Sequence, residues 1–82
     1  MELFILSPRH KQSYEIDWLD LHTSQGNFVI KRGHAPMIID LLPHSSFTFA
    51  LENGVQKSVQ IRTGIASIMR DQTTIFISEE HD

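Results

Sequence analysis

The stretch Phe47-Thr48-Phe49-Ala50-Leu51-Glu52-Asn53-Gly54-Val55-Gln56-Lys57-Ser58-Val59-Gln60-Ile61 decides the fold class. Phe47, Phe49 and Leu51 recur at period two, and Val55, Val59 and Ile61 alternate with polar residues beyond Asn53-Gly54. Successive side chains of a strand point to opposite faces, so this spacing gives each run one apolar face. Both central positions of a type I′ turn need positive φ, which Asn and Gly tolerate best. The stretch predicts a β-hairpin with a two-residue turn at Asn53-Gly54.

Further runs on both sides carry the same chemistry. Ile65 to Met69 and Thr74 to Ser78, joined by Arg70-Asp71-Gln72-Thr73, predict a second hairpin. Leu3 to Leu6 predicts a strand closed by Ser7-Pro8, since proline cannot donate to a ladder. Tyr14 to His22 puts Ile16 and Trp18 on one face but Leu19 and Leu21 on the other, so that strand is either buried on both sides or bulged. A turn through Ser24-Gln25-Gly26-Asn27 leads into Phe28-Val29-Ile30, which Lys31-Arg32-Gly33 ends. Ala35, Ile38, Ile39 and Leu42 fall at helical spacing with Pro36 fit for a first turn, yet Pro43 closes the segment quickly and its Ile and Met content favours a strand. The sum is an all-β chain: a small antiparallel β-sandwich of about ten short strands, in one domain over residues 1–82.

Composition narrows the function. Of 82 residues, 40% are hydrophobic and 21% charged, a balance that folds rather than stays disordered. The absence of cysteine excludes disulfides, Cys-containing zinc fingers and a Cys nucleophile. A net charge of -3 repels phosphate backbones and gives no footprint for nucleic acid or anionic lipid. No apolar run approaches the ~18 residues of a membrane span, and Met1 to Leu6 lacks the basic flank and length of a signal peptide.

The residues offer little for catalysis. Histidines at 10, 22, 34, 44 and 81 show no HExxH or H-x-H spacing, and Asp20 with His22 supplies only two ligands on one strand face, so no metal is expected. His44 beside Ser45 and Ser46 lacks the geometry of a nucleophile and its base, because neighbours on a strand point apart. Asp17 and Asp20, and the terminal Glu79, Glu80 and Asp82, read as solvated charges. No glycine-rich phosphate loop is present and no cofactor is implied. What remains is surface. Lys31-Arg32 beside the Gly33 to Pro36 turn could steer an acidic partner or merely guard a strand end, and His34 is either presented to a partner or held by backbone and water. Trp18 and Tyr14 would anchor an interface if outward, though a lone Trp in so small a domain usually lies in the core.

Gln25-Gly26-Asn27-Phe28-Val29-Ile30, followed by Lys31-Arg32-Gly33-His34-Ala35-Pro36-Met37, resembles the "EGEFGILPGHAPL" stretch of the epsilon subunit of F-type ATP synthases. Ser7-Pro8 is similar to that family's Thr-Pro-Glu, and Thr63-Gly64 falls where its Ser-Gly-Gly opens a late strand. The chain departs from the pattern at Asn27 for an acidic residue, Val29 for glycine, Lys31-Arg32 for Leu-Pro and Ile65 for the second late glycine. The resemblance covers roughly Leu3 to Ile77. It implies a ten-stranded sandwich without catalytic residues, seated on the foot of a rotor, packed on the gamma subunit and touching the polar loops of the c-ring. On that footing Gly26, Asn27 and Phe28 match the loop that approaches the c-ring. Gly33, His34, Ala35 and Pro36 match the neighbouring turn at the rotor interface.

The implied setting is the cytoplasmic face of a bacterial inner membrane, held peripherally through the ATP synthase complex. Family members commonly continue into a helical hairpin that inhibits ATP hydrolysis, so a chain ending at Asp82 is expected to couple without that inhibition. The competing reading is a free-standing sandwich that binds a small ligand or peptide, with an enzyme using His34 or His44 a distant third.

Overall fold

A computed structural model describes residues 1–78. Eight strands follow in chain order: β1 (Glu2–Leu6), β2 (Lys11–Thr23), β3 (Gly26–Ile30), β4 (Met37–Asp40), β5 (Ser46–Leu51), β6 (Gln56–Gln60), β7 (Gly64–Ile68) and β8 (Gln72–Ile77). Among the described residues there is no helix, and so none long and apolar enough to cross a membrane. The segment with helical spacing is strand β4, which pairs antiparallel with β7 from Met37↔Ile68 to Asp40↔Ile65.

One sheet runs β4-β7-β8-β1 and ends on the first half of β2; the other holds the second half of β2, flanked by β3 and β5, with β6 beside β5. Among the described residues the count is eight rather than about ten, and the strand expected over Tyr14 to His22 is the middle of β2, which at 13 residues serves both sheets. Its change of sheet has a local cause. Ile16 faces Leu51 and Trp18 faces Ala50, so Asp17 is an extra residue bulged out of the ladder. Tyr14 and Ile16 point inward before the bulge, and Leu19, Leu21 and Thr23 after it. A bulge bends and twists its strand, and here it resolves the two-faced pattern of Tyr14 to His22. Trp18 is left half-buried on the outer face.

The core joins the inner faces of both sheets. Leu3, Ile5, Ile68 and Ile75 come from one, and Leu19, Leu21, Ile30, Phe47 and Phe49 from the other. Phe47 and Phe49 stack with ring centroids 6.2 Å apart, and Tyr14 tilts against Phe49 at 4.9 Å. β1 lies antiparallel to β2 but parallel to β8, so the sheet is not antiparallel throughout.

The decisive hairpin is present with a different turn. Leu51 N–H donates to Val55 O and Gly54 N–H to Leu51 O, leaving Glu52, Asn53 and Gly54 as a three-residue loop. Only Gly54 has positive φ, at 90°. This is a type I turn closed by a glycine in the left-handed region, which twists with the strands as well as a type I′ turn does. Asn53 acts through its side chain instead, its Oδ1 accepting from Val55 N–H at 3.0 Å. Val55 sits at the rim of that loop, half exposed, and adds nothing to the core.

Candidate functional site

The residues matched to the ring-facing loop lie on the β2–β3 hairpin. Thr23 pairs with Gly26, with Ser24 and Gln25 between them. The Thr23 hydroxyl donates to Gly26 O at 2.8 Å and accepts from Gln25 N–H at 3.1 Å, so one side chain closes the turn. Gly26 has φ of 111°, a conformation that L side chains rarely adopt. Asn27 sits directly across from His22, and its Oδ1 accepts from His22 Nδ1–H at 2.9 Å. That bond fixes the imidazole with Nε2 free. Phe28, opposite Leu21, is half-buried and packs against the core, so it anchors the hairpin rather than presenting its ring.

The residues matched to the rotor turn lie beyond Ile30. His34 N–H donates to Lys31 O at 3.1 Å, and Gly33, at the third position of this turn, has φ of 89°. That is a type II turn, which requires positive φ there. Gly33 N–H also donates to Arg70 O at 2.6 Å, tying the loop to the β7–β8 turn. The His34 ring is half-buried and donates through Nδ1–H to Ala35 O at 2.7 Å, while Ala35 and Pro36 are exposed.

The structure does not bring these two groups together. Gly26 opens β3 and Gly33 follows its end, so they stand at opposite ends of a five-residue strand. At ~3.3 Å per residue the separation is roughly 16 Å. The two turns are neighbours in sequence only, because Phe28-Val29-Ile30 is extended along Leu19 to Leu21.

The remaining polar candidates are dispersed. Among the described residues no three His, Asp or Glu side chains are placed to hold a metal ion. The Ser45 hydroxyl donates to Leu42 O at 2.6 Å and so closes a turn beside His44, whose φ is 54°. His81, Glu79, Glu80 and Asp82 lie outside the described residues. Sequence reasoning missed the apolar outer face of the sheet built from β4, β7, β8 and β1, where Ile38, Ile65 and Phe76 are exposed. The signal was available: Ile38-Ile39 and Ile75-Phe76-Ile77 place apolar residues on both faces of their strands. A cleft of about 640 Å³ opens at the edge of that face, lined by Asp40, Leu42, Ile65, Phe76 and, from the β2–β3 turn, Ser24.

Comparison with known proteins places this arrangement. Residues 1–80 match the sequence family of the ATP synthase delta/epsilon chain, beta-sandwich domain. The chain belongs to this family. The delta/epsilon chain is a non-catalytic stalk subunit of ATP synthase. Solved structures give the same fold for this delta/epsilon sandwich. A chain of the Euglena gracilis mitochondrial ATP synthase, solved as OSCP/F1/c-ring in rotational state 1, superposes with a TM-score of 0.85 at 17% identity, covering 96% of this chain and 51% of that one. A chain of the Tetrahymena thermophila mitochondrial ATP synthase central stalk/c-ring superposes with a TM-score of 0.81 at 16% identity, covering 100% of this chain and 66% of that one. The delta/epsilon sandwich described here thus spans between half and two thirds of those chains. No curated protein sequence matches it significantly.

Proposed function

We propose that the chain is a non-catalytic rotor subunit of the central stalk of a proton-translocating F-type ATP synthase, where it couples the gamma subunit to the c-ring. The observation that carries this reading is the family match over residues 1–80. The fold supports it in kind: a sandwich with one close-packed core resists deformation and can pass torque from one surface to another. The two turns are assigned separate roles within it. Gly26 and Asn27, backed by Phe28, present one end of β3 to the polar loops of the ring, while Gly33, His34, Ala35 and Pro36 present the other end to the rotor interface. The protein then sits peripherally on the membrane face that carries the ATP synthase; the two solved structures named above are mitochondrial, and the bacterial inner membrane rests on the sequence resemblance.

Co-purification of the chain with gamma and the c-ring at native salt tests the reading. Retention of both is expected. Failure to bind either, or saturable binding of a small ligand or peptide by a chain that ignores both, would overturn it in favour of a free-standing binding module. Asn27→Ala is expected to weaken ring contact without unfolding the chain, and normal coupling of ATP hydrolysis to proton pumping by both Asn27→Ala and Gly33→Val would refute the site assignment.

A further inference from the structure

The ladder pairs of the β4-β7-β8-β1-β2 sheet define a row of side chains that crosses all five strands: Asp40, Ile65, Phe76, Leu6 and Lys11. Residues directly paired in a sheet share a face, and this row lies on the outer one, since Ile5 and Ile77 beside it are buried. Its middle is apolar and accessible, with Ile65 44% and Phe76 49% exposed. One row along, Ile38 is 78% exposed and Phe4 is half-buried on the same face. One end of the row is an acid and the other a base. Neither Asp40 nor Lys11 has an ion-pair partner among the described residues.

We infer that this outer face is self-complementary and that two copies of the chain associate through it. A two-fold axis in the interface, running along central strand β8, reverses the row. It sets Phe76 on Phe76 of the second copy, Ile65 on Leu6 and Asp40 on Lys11, each twice by symmetry. The next row also fits, with Thr74 on Thr74 and Ser67 on Phe4. Glu2 meets Met69 rather than another acid, because it lies one strand from β8 on the opposite side. Neither a flat cleft for a small ligand nor a one-sided charged patch would need the acid and the base at opposite ends of an apolar row.

The face sets the strength. Five strands spaced at ~4.8 Å by about six residues at ~3.3 Å give roughly 400 Å² per copy, half the ~800 Å² of a standard partner surface. Such an interface is weak and reversible, with a dissociation constant on the order of 100 μM. A rotor partner that covers the same face would compete with the dimer. This inference goes beyond the rotor reading and is measured without gamma or the ring.

Sedimentation velocity of the full chain from about 5 to about 500 μM at low salt tests it. A sedimentation coefficient that rises steadily from the monomer value towards the dimer value is expected. Phe76→Glu, at a half-exposed site, should keep the monomer value throughout, and Phe76→Ser provides the same readout if the glutamate perturbs folding. Lys11→Asp and Asp40→Lys should each weaken self-association by about 5-fold or more, because each sets like charges across the interface twice. An equimolar mixture of those two variants should recover wild-type association, since Asp40 of one then faces Lys11 of the other, and the introduced Lys faces the introduced Asp. A monomer at every concentration overturns the inference, as does a mixture no better than its separate components.

Discussion

Gly33 offers the most direct test of why the β3–β4 loop has its shape. Its φ of 89° belongs to the region that L residues rarely enter, yet no atom lies within 4 Å of where a Cβ would stand. Substitution there costs backbone strain without a clash. For Gly33→Ala the left-handed conformation costs about 1 kcal/mol. Gly33→Val adds the rigidity of a β-branched side chain, for about 2 kcal/mol. Asn is larger than Ala but tolerates the left-handed region, so Gly33→Asn should cost less than Gly33→Ala. The Gly33 N–H···Arg70 O bond of 2.6 Å, which relaxation of the turn would strain, puts these values towards the upper end. In a domain of this size 1 kcal/mol moves Tm by roughly 4–8 °C, so melts followed by circular dichroism should fall by about 5 °C for Ala and about 10 °C for Val. A Val variant within about 2 °C of wild type, or an Asn variant melting with Val rather than above Ala, would refute the strain argument.

Three further outcomes follow from the packing and the turns. Phe47→Ala, at a side chain with no exposure, should cost about 3–5 kcal/mol, and urea titration should find the variant close to unfolded, because so small a domain sits at the low end of the usual ~5–15 kcal/mol of total stability. Thr23→Val removes both bonds that close the β2–β3 turn and should lower stability by about 1–2 kcal/mol in the same assay, whereas Thr23→Ser should keep most of it. Gly64→Ala would bring a Cβ to 3.2 Å from both Leu41 Cδ1 and the Phe76 carbonyl oxygen, and since a backbone oxygen in a ladder cannot yield easily, a loss of about 1 kcal/mol is expected in thermal melts.

Where local chemistry decides structure, the sequence was a sufficient guide. The alternation of Phe47, Phe49, Val59 and Ile61 reports an inner face, and that pattern survives whichever turn joins the strands. The turn itself was harder to read. Asn53-Gly54 is compatible with a two-residue or a three-residue loop, and the choice depends on pairing Leu51 with Val55, which no dipeptide encodes. The conflict between Ile16 and Leu19 was visible, and it marked a real irregularity. What it could not convey is that the bulge at Asp17 carries one strand from sheet to sheet, because that depends on β1 and β5 as partners. The Ala35 to Leu42 segment satisfied a helical period by coincidence, and tertiary pairing with β7 overrode it. For the candidate site, residue types and turn positions were legible at Gly26 and Gly33, where positive φ singles out glycine. Their separation was not, since adjacency in sequence says nothing about the length of the strand between them.

The parallel pairing of β1 with β8 has a consequence for synthesis. The strands of the second sheet, β2, β3, β5 and β6, are all available once Gln60 has left the ribosome, but β1 meets its second partner only when residues 72–77 emerge. Leu3 and Thr73 are neighbours in the ladder and 70 positions apart in the chain, so this contact closes a very large loop and comes late. Until then β1 keeps an open edge and the apolar sides of Leu3 and Ile5 are only partly covered. The emerging domain is therefore half a sandwich from Gln60 until residues 72–77 are delivered, and the interval in which its exposed core needs shielding closes with β8.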